Sequence, residues 1–106
     1  MSGKLDENLW SLTSLHKLEI VGIDALTTIS PAIGELKHLK ELVVSENVNV
    51  DAIPKEIGQL KDLKILILSD NELITIPFEI GLLSSLQVKV SNLFNKKITI
   101  NFYLSF

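Results

Sequence analysis

Residues 63–77 have the sequence LKILILSDNELITIP, in which apolar residues recur at uneven intervals around a single asparagine, Asn71. The apolar positions that matter are Leu63, Leu66, Leu68, Leu73 and Ile76. This spacing fits neither the 3.6-residue period of a helix nor the plain alternation of a long strand. The reason for it is found in the rest of the chain.

The same pattern occurs several times along the sequence. The leucine that opens the stretch has counterparts at intervals of 24, 24 and 23 residues, namely Leu15, Leu39, Leu63 and Leu86. Six further columns are apolar or glycine in each of three copies. They are Leu18, Leu42 and Leu66; Ile20, Val44 and Leu68; Ile29, Ile53 and Ile76; Ile33, Ile57 and Ile80; Gly34, Gly58 and Gly81; and Leu36, Leu60 and Leu83. Such a period indicates a solenoid of stacked coils.

Each copy predicts a short strand followed by a turn and a return segment. Apolar positions 1, 4 and 6 of the copy give a strand with one buried face. The asparagines at position 9, Asn47 and Asn71, are expected to form a structural ladder by bonding free backbone groups in their own coil and the next. Pro54 and Pro77 suit an extended or tightly turned return path, which is too short for a long helix.

These residues resemble the leucine-rich repeat family, whose core motif is L-x-x-L-x-L-x-x-N. Leu63, Leu66, Leu68 and Asn71 match that core in full. The segments IPKEIGQL (53–60) and IPFEIGLL (76–83) are similar to the intracellular, Ras-group-like subgroup with I/L-P-x-x-I-G-x-L return segments. The resemblance covers about residues 5–86. It implies a non-catalytic protein-binding scaffold, with small GTPases, kinases or phosphatases among the partner classes.

The predicted fold is an α/β-type repeat: a short right-handed solenoid with a parallel sheet on its concave face and an irregular or 3₁₀ convex side. Residues 1–14 are expected to be a partial N-terminal repeat or cap. Three repeats follow at 15–38, 39–62 and 63–85. Residues 86–106 are expected to form a divergent tail with one or more strands.

Both ends of the array depart from the pattern. In the first coil, Ile23 replaces the asparagine and Ser30 replaces the proline, with Pro31 one place later. After Leu86, position 4 would be Lys89, a charge directed at the core. The tail alternates apolar and polar residues over 98–106, as a strand does. It is either a cap on the last coil or sequence foreign to the array.

Composition excludes several function classes. The chain has 106 residues, a net charge of −3 with mixed signs, and no cysteine. Length fits one small domain, and the charge gives no footprint for nucleic acid or an anionic membrane. Neither a signal peptide nor an apolar stretch of membrane-spanning length is visible, and no cofactor is implied. These features favour a monomeric, cytoplasmic protein.

The candidate binding surface consists of the strand residues that point away from the core. They are Lys17, Glu19, Val21, Glu41, Val43, Ser45, Ile65, Ile67 and Ser69, with Val88 and Val90 as an extension. A contiguous exposed apolar stripe with charges at its rim marks a protein-binding surface. The alternative is that these β-branched residues are present only because they favour strands.

Other chemical groups give weaker signals. A basic edge (Lys37, His38, Lys40, Lys61, Lys64) and an acidic edge (Glu46, Asp70, Glu72) flank the predicted sheet, and either orient a dipolar partner or keep the surface soluble. The two histidines lack the further ligands that a metal site needs, and no nucleophile has a histidine and carboxylate beside it.

The sequence therefore predicts a protein–protein interaction module without enzymatic activity, and the resemblance implies a scaffold in intracellular signal transduction. Two alternatives stay open. The chain is a truncated or wrongly assembled gene product without independent function, or it is a repeat segment detached from a multidomain kinase or ubiquitin ligase.

Overall fold

A computed structural model describes residues 5–71, 73 and 75–89 of the chain. Short 3₁₀ helices and short strands alternate along these residues. The 3₁₀ helices are Glu7–Ser11 (η1), Pro31–Glu35 (η2), Lys55–Gln59 (η3) and Phe78–Leu82 (η4). The strands are Lys17–Val21 (β1), Glu41–Ser45 (β2), Ile65–Ile67 (β3) and Gln87–Lys89 (β4). This alternation confirms the predicted solenoid.

The four strands form one parallel sheet in the order β1-β2-β3-β4. The repeat offset of 24 residues sets its register, so that Leu18 pairs with Leu42 and Leu42 with Leu66. Strands that follow one another along the chain are thus adjacent throughout the sheet. Equivalent side chains stand in columns across the strands, as a parallel solenoid requires.

The core is built almost entirely from the repeat columns. Its buried side chains are Trp10, Ile20, Leu26, Ile29, Ile33, Leu36, Leu39, Leu42, Val44, Val50, Ile53, Ile57, Leu60, Leu63, Leu66, Leu68, Leu73, Ile80, Leu83 and Leu86. Each buried aliphatic side chain contributes roughly 1.5–3 kcal/mol before the loss of chain entropy. Trp10 belongs to η1, ahead of the first strand, and its indole Nε1 donates to Glu7 Oε1 at 2.7 Å.

The convex turns explain the columns of apolar residue, glycine and leucine. In η2 to η4 the residue after the helix donates its N–H back three positions, as Leu36 does to the Ile33 carbonyl. Pro54 and Pro77 precede η3 and η4 in extended conformation. At the same place in the first coil, Ser30 Oγ accepts the N–H of Ala32 at 3.0 Å. The serine therefore caps a turn that proline preorganises in the later coils.

Glycine is required where neighbouring convex turns stack. A Cβ added to Gly58 would lie 2.9 Å from the Cβ and 3.0 Å from the backbone oxygen of Glu79. Backbone atoms cannot move aside as a flexible side chain can. The glycine at position 58 is thus a packing requirement between coils, and a phosphate loop is not needed to explain it.

A left-handed residue ends each of the first two strands and follows β3. Gly22, Glu46 and Asp70 have φ values of 70°, 58° and 60°. This conformation costs most residues about 1–2 kcal/mol. It bends the chain from the strand into the turn that carries Ile23 in the first coil and an asparagine in the next two.

The last strand pairs at an offset that the other strands do not share. In the β3–β4 register Ile65 pairs with Gln87 and Leu66 with Val88, an offset of 22 residues. Val88 therefore pairs with Leu66, and Lys89 with Ile67. The predicted directions of the Val88 and Lys89 side chains lie outside what the structure describes. The cause of the altered offset is a connection one residue shorter between Leu86 and the strand than between Leu63 and Ile65. Val90 and the predicted strand in the tail lie outside the described residues.

Candidate functional site: the concave face of the sheet

The nine predicted surface residues form a grid on the concave side of the sheet. Each row of the grid crosses the strands at one position of the repeat. The first row contains Lys17, Glu41 and Ile65, and the second contains Glu19, Val43 and Ile67. In the third row Val21 pairs with Ser45, and Ser69 has the same position in the repeat but follows the end of β3. All nine are exposed or half-buried, whereas the residues between them on β2 are buried. Gln87 continues the first row on β4 and is exposed.

The charged groups of this grid are concentrated on its first two strands. Lys17 Nζ lies 2.9 Å from Glu41 Oε2 and 3.4 Å from Glu19 Oε2. The hydrogen bond and charge of Glu41, and then the charge of Glu19, raise the pKa of Lys17 above its ordinary value of 10.5. One ammonium group is thus shared by two carboxylates on a solvated surface.

The apolar part of the grid lies on β2 and β3, next to these charges. Val43 pairs in register with Ile67, and Ile65 lies two residues before Ile67 on the same strand. Ile65 is 36% exposed, and Val43 and Ile67 are half-buried. We name Val43, Ile65 and Ile67 the apolar patch. It borders Glu41 and Glu19 directly, because these two residues pair in register with Ile65 and Val43.

Asn47 bonds the backbone of two coils beneath the grid. Its Oδ1 accepts the N–H of Ile23 at 2.9 Å, and its Nδ2 donates to the carbonyls of Ile20 at 2.8 Å and Ser45 at 2.9 Å. The side chain is fully buried. Asn47 Nδ2 also lies 3.3 Å from Asn71 Oδ1, which connects it to the asparagine of the next coil.

Asn71 repeats this geometry one coil later. Its Oδ1 accepts the backbone N–H of Asn47 at 3.1 Å, and its Nδ2 donates to Val44 and Ser69. The backbone partners of both asparagines therefore come from their own coil and the preceding one. The expectation of backbone partners in the following coil was wrong in direction. Because Asn47 bonds the preceding coil, Ile23 joins the ladder through its backbone N–H and needs no side-chain amide.

A solved structure shares this arrangement. A leucine-rich repeat protein from Leptospira interrogans is 38% identical to the chain, with a TM-score of 0.74. The similarity covers 89% of this chain. Together with the repeat columns and the asparagine bonds, it decides the family. The chain belongs to the leucine-rich repeat family.

The similarity extends over only part of the solved relative. This leucine-rich repeat chain spans 23% of that protein's length. No protein-family model matches the chain, and no curated protein matches it in sequence. The Ras-group-like subgroup suggested by the return segments thus stays a prediction.

The edges of the leucine-rich repeat sheet carry the predicted charges on exposed side chains. The basic edge has Lys37, His38, Lys40, Lys61 and Lys64, all exposed. On the acidic edge Glu46 and Asp70 are exposed and occupy the left-handed turn positions. Glu72 lies outside the described residues.

Two exposed apolar residues on the convex side were not predicted as surface features. Phe78 and Leu82, at the two ends of η4, are 70% and 60% exposed. The equivalent residues of η3 are Lys55 and Gln59. Comparing the columns that lie outside the core would have revealed them, since an apolar residue replaces a polar one in both.

The described part of the leucine-rich repeat chain was compared with what a metal site and a membrane-spanning helix require. No group of three or more His, Cys, Asp or Glu side chains there is placed to hold a metal ion. Both histidines are exposed. Among the same residues, no helix has the length and apolar character needed to cross a membrane.

Proposed function

We propose that this leucine-rich repeat chain is a non-catalytic protein-binding module that uses the concave face of its sheet. The supporting observation is the apolar patch of Val43, Ile65 and Ile67, held on a parallel sheet and bordered by charged groups. Apolar side chains that remain partly exposed beside polar ones are typical of the centre of an interface.

The rigidity of the face adds to this support. The backbone behind the patch is fixed by the sheet register and by the buried asparagines, so that the side chains are held before a partner arrives. A preorganised surface loses little conformational entropy on binding. The asparagines contribute to binding only by maintaining this scaffold.

The narrower parts of the proposal depend on the sequence alone. Small GTPases, kinases and phosphatases are the partner classes it implies, with a cytoplasmic location and a role in signal transduction. The division into a partial repeat at 1–14, three repeats at 15–85 and a tail at 86–106 is part of the same proposal, as is a monomeric state.

A capture experiment in a lysate of the source organism tests the proposal. Wild-type chain and the double variant Ile65→Glu plus Ile67→Glu are immobilised, and captured proteins are identified by mass spectrometry. The control, Phe78→Glu, places the same charge on the exposed convex side. We expect a set of proteins that the control retains and the double variant loses. Equal capture by the wild type and both variants would exclude the concave face as the binding site.

A further inference from the structure

The charges that β1 and β2 contribute to the concave face do not balance. Among its nine residues the charged side chains are Lys17, Glu19 and Glu41, one cation against two anions. This cluster therefore has a formal net charge of −1. It lies at one side of the apolar patch and is only partly covered, since the Glu41 side chain keeps 30% and the Glu19 side chain 54% of its exposure.

The two carboxylates have unused acceptor capacity. Lys17 Nζ contacts one oxygen of each, Oε2 in both cases. Within the described residues no other hydrogen bond or ion pair to Glu19 or Glu41 is found. A carboxylate accepts up to about four hydrogen bonds, so a second cationic donor can bind without displacing Lys17.

The position of the carboxylates decides which partner the face favours. Glu41 pairs with Ile65 and Glu19 with Val43, so a segment that covers the apolar patch also removes water from the carboxylates. A purely apolar segment would leave them desolvated and unmatched, and an acidic one would add repulsion. A basic side chain supplies the missing charge and donors. Arginine suits the site best, because its planar fork binds carboxylates through two hydrogen bonds.

We propose that the concave face recognises a peptide segment that presents a basic side chain to Glu19 and Glu41 and an aliphatic or aromatic side chain to the apolar patch. This inference rests on the proposed function of the face. Neighbouring strands are ~4.8 Å apart, so the two groups of the segment are about 5–10 Å apart. In an extended peptide this distance corresponds to roughly one to three residues.

Selection from a phage-displayed library of random peptides on the immobilised full chain tests the inference. We expect enrichment of arginine or lysine within about three residues of a large apolar residue. One selected peptide is then synthesised, and its affinity is measured by calorimetry at low and high salt. The variants are Glu19→Gln plus Glu41→Gln for the charges and Ile65→Thr plus Ile67→Thr for the patch. Phe78→Ser removes an exposed apolar side chain from the opposite side and is the control.

The outcomes separate this inference from the proposed function. Both double variants are expected to weaken binding about fivefold or more, and the glutamine variant is expected to reduce the salt dependence. Threonine retains the preference for strands, and thermal melting followed by circular dichroism checks that each variant is folded. Peptides that need the isoleucines but lack basic residues, or that ignore the glutamine variant, would overturn the inference and leave the proposed function intact. Binding that survives the threonine variant, or no selection at all, would overturn both.

Discussion

Replacing Asn47 by alanine is the sharpest test of how the coils are held together. The substitution removes the four hydrogen bonds of a fully buried side chain, to Ile23, Ile20, Ser45 and Asn71. Each typical bond contributes about 1 kcal/mol net, and a buried group left without a partner costs more. We therefore expect a loss of about 3–5 kcal/mol in the free energy of unfolding. This is a large fraction of the roughly 5–15 kcal/mol that a small domain has.

A neighbouring asparagine provides the matched control. Asn49 is exposed and makes one side-chain hydrogen bond, from Nδ2 to the Asp24 carbonyl at 2.6 Å. Asn49→Ala removes the same atoms from a solvated position, where water can replace the lost bond. We expect it to cost at most about 1 kcal/mol. Urea denaturation of wild type and both variants gives the free energies, provided the transitions are two-state.

Amide hydrogen exchange measures the effect of the substitution at single backbone N–H groups. The Ile23 N–H donates to Asn47 Oδ1, whereas the nearby Leu26 N–H donates to the Ile23 carbonyl. In Asn47→Ala the Ile23 amide is expected to lose more protection than the Leu26 amide. If Asn47→Ala costs no more than Asn49→Ala, or if Ile23 keeps its protection relative to Leu26, the asparagine does not hold these coils together.

Four further perturbations test separate causes of stability. Gly58→Ala is expected to cost about 1–3 kcal/mol in chemical denaturation because the new Cβ meets the backbone of Glu79, and a neutral result would show that the convex turns can separate. Gly22→Ala is expected to cost about 1–2 kcal/mol for a different reason, since its Cβ meets nothing within 4 Å and only the φ of +70° is unfavourable; Gly22→Asn should recover part of the loss. Ser30→Ala is expected to cost about 1 kcal/mol through loss of the cap on η2, and Ser30→Thr should retain most of the stability. Lys17 has a raised pKa, so its stabilising effect is complete below pH 10.5 and is lost as the pH rises through the raised value. The stability difference between wild type and Lys17→Gln should therefore shrink in strongly alkaline buffer, and a difference that grows with pH would contradict this assignment.

The repeat columns were predictable because each of them meets the same requirement in every coil. Leu42 and Leu66 are buried because their strand position faces the core, and Gly34 and Gly58 lie where a neighbouring coil approaches closely. A requirement that recurs at a fixed interval is visible in a single sequence. The parallel sheet, the 3₁₀ convex side and the buried asparagines follow from it.

Features that occur only once in the chain, or that depend on how the coils stack, were not predictable. After the shorter connection at Leu86, β4 pairs with β3 at an offset of 22 residues, because strand pairing does not follow the count of residues along the chain. Likewise, no pattern along the chain shows that Asn47 bonds the preceding coil.

The sequence by itself determined the repeat, the side chains of the core and the columns that face outward, because these follow from periodic burial. Only the tertiary structure decided that Lys17 is shared by Glu19 and Glu41, and that the apolar patch borders both carboxylates. The physical reason is that residues 24 positions apart become neighbours only when the coils stack. Charges that are distant along the chain then act on one another at hydrogen-bonding distance.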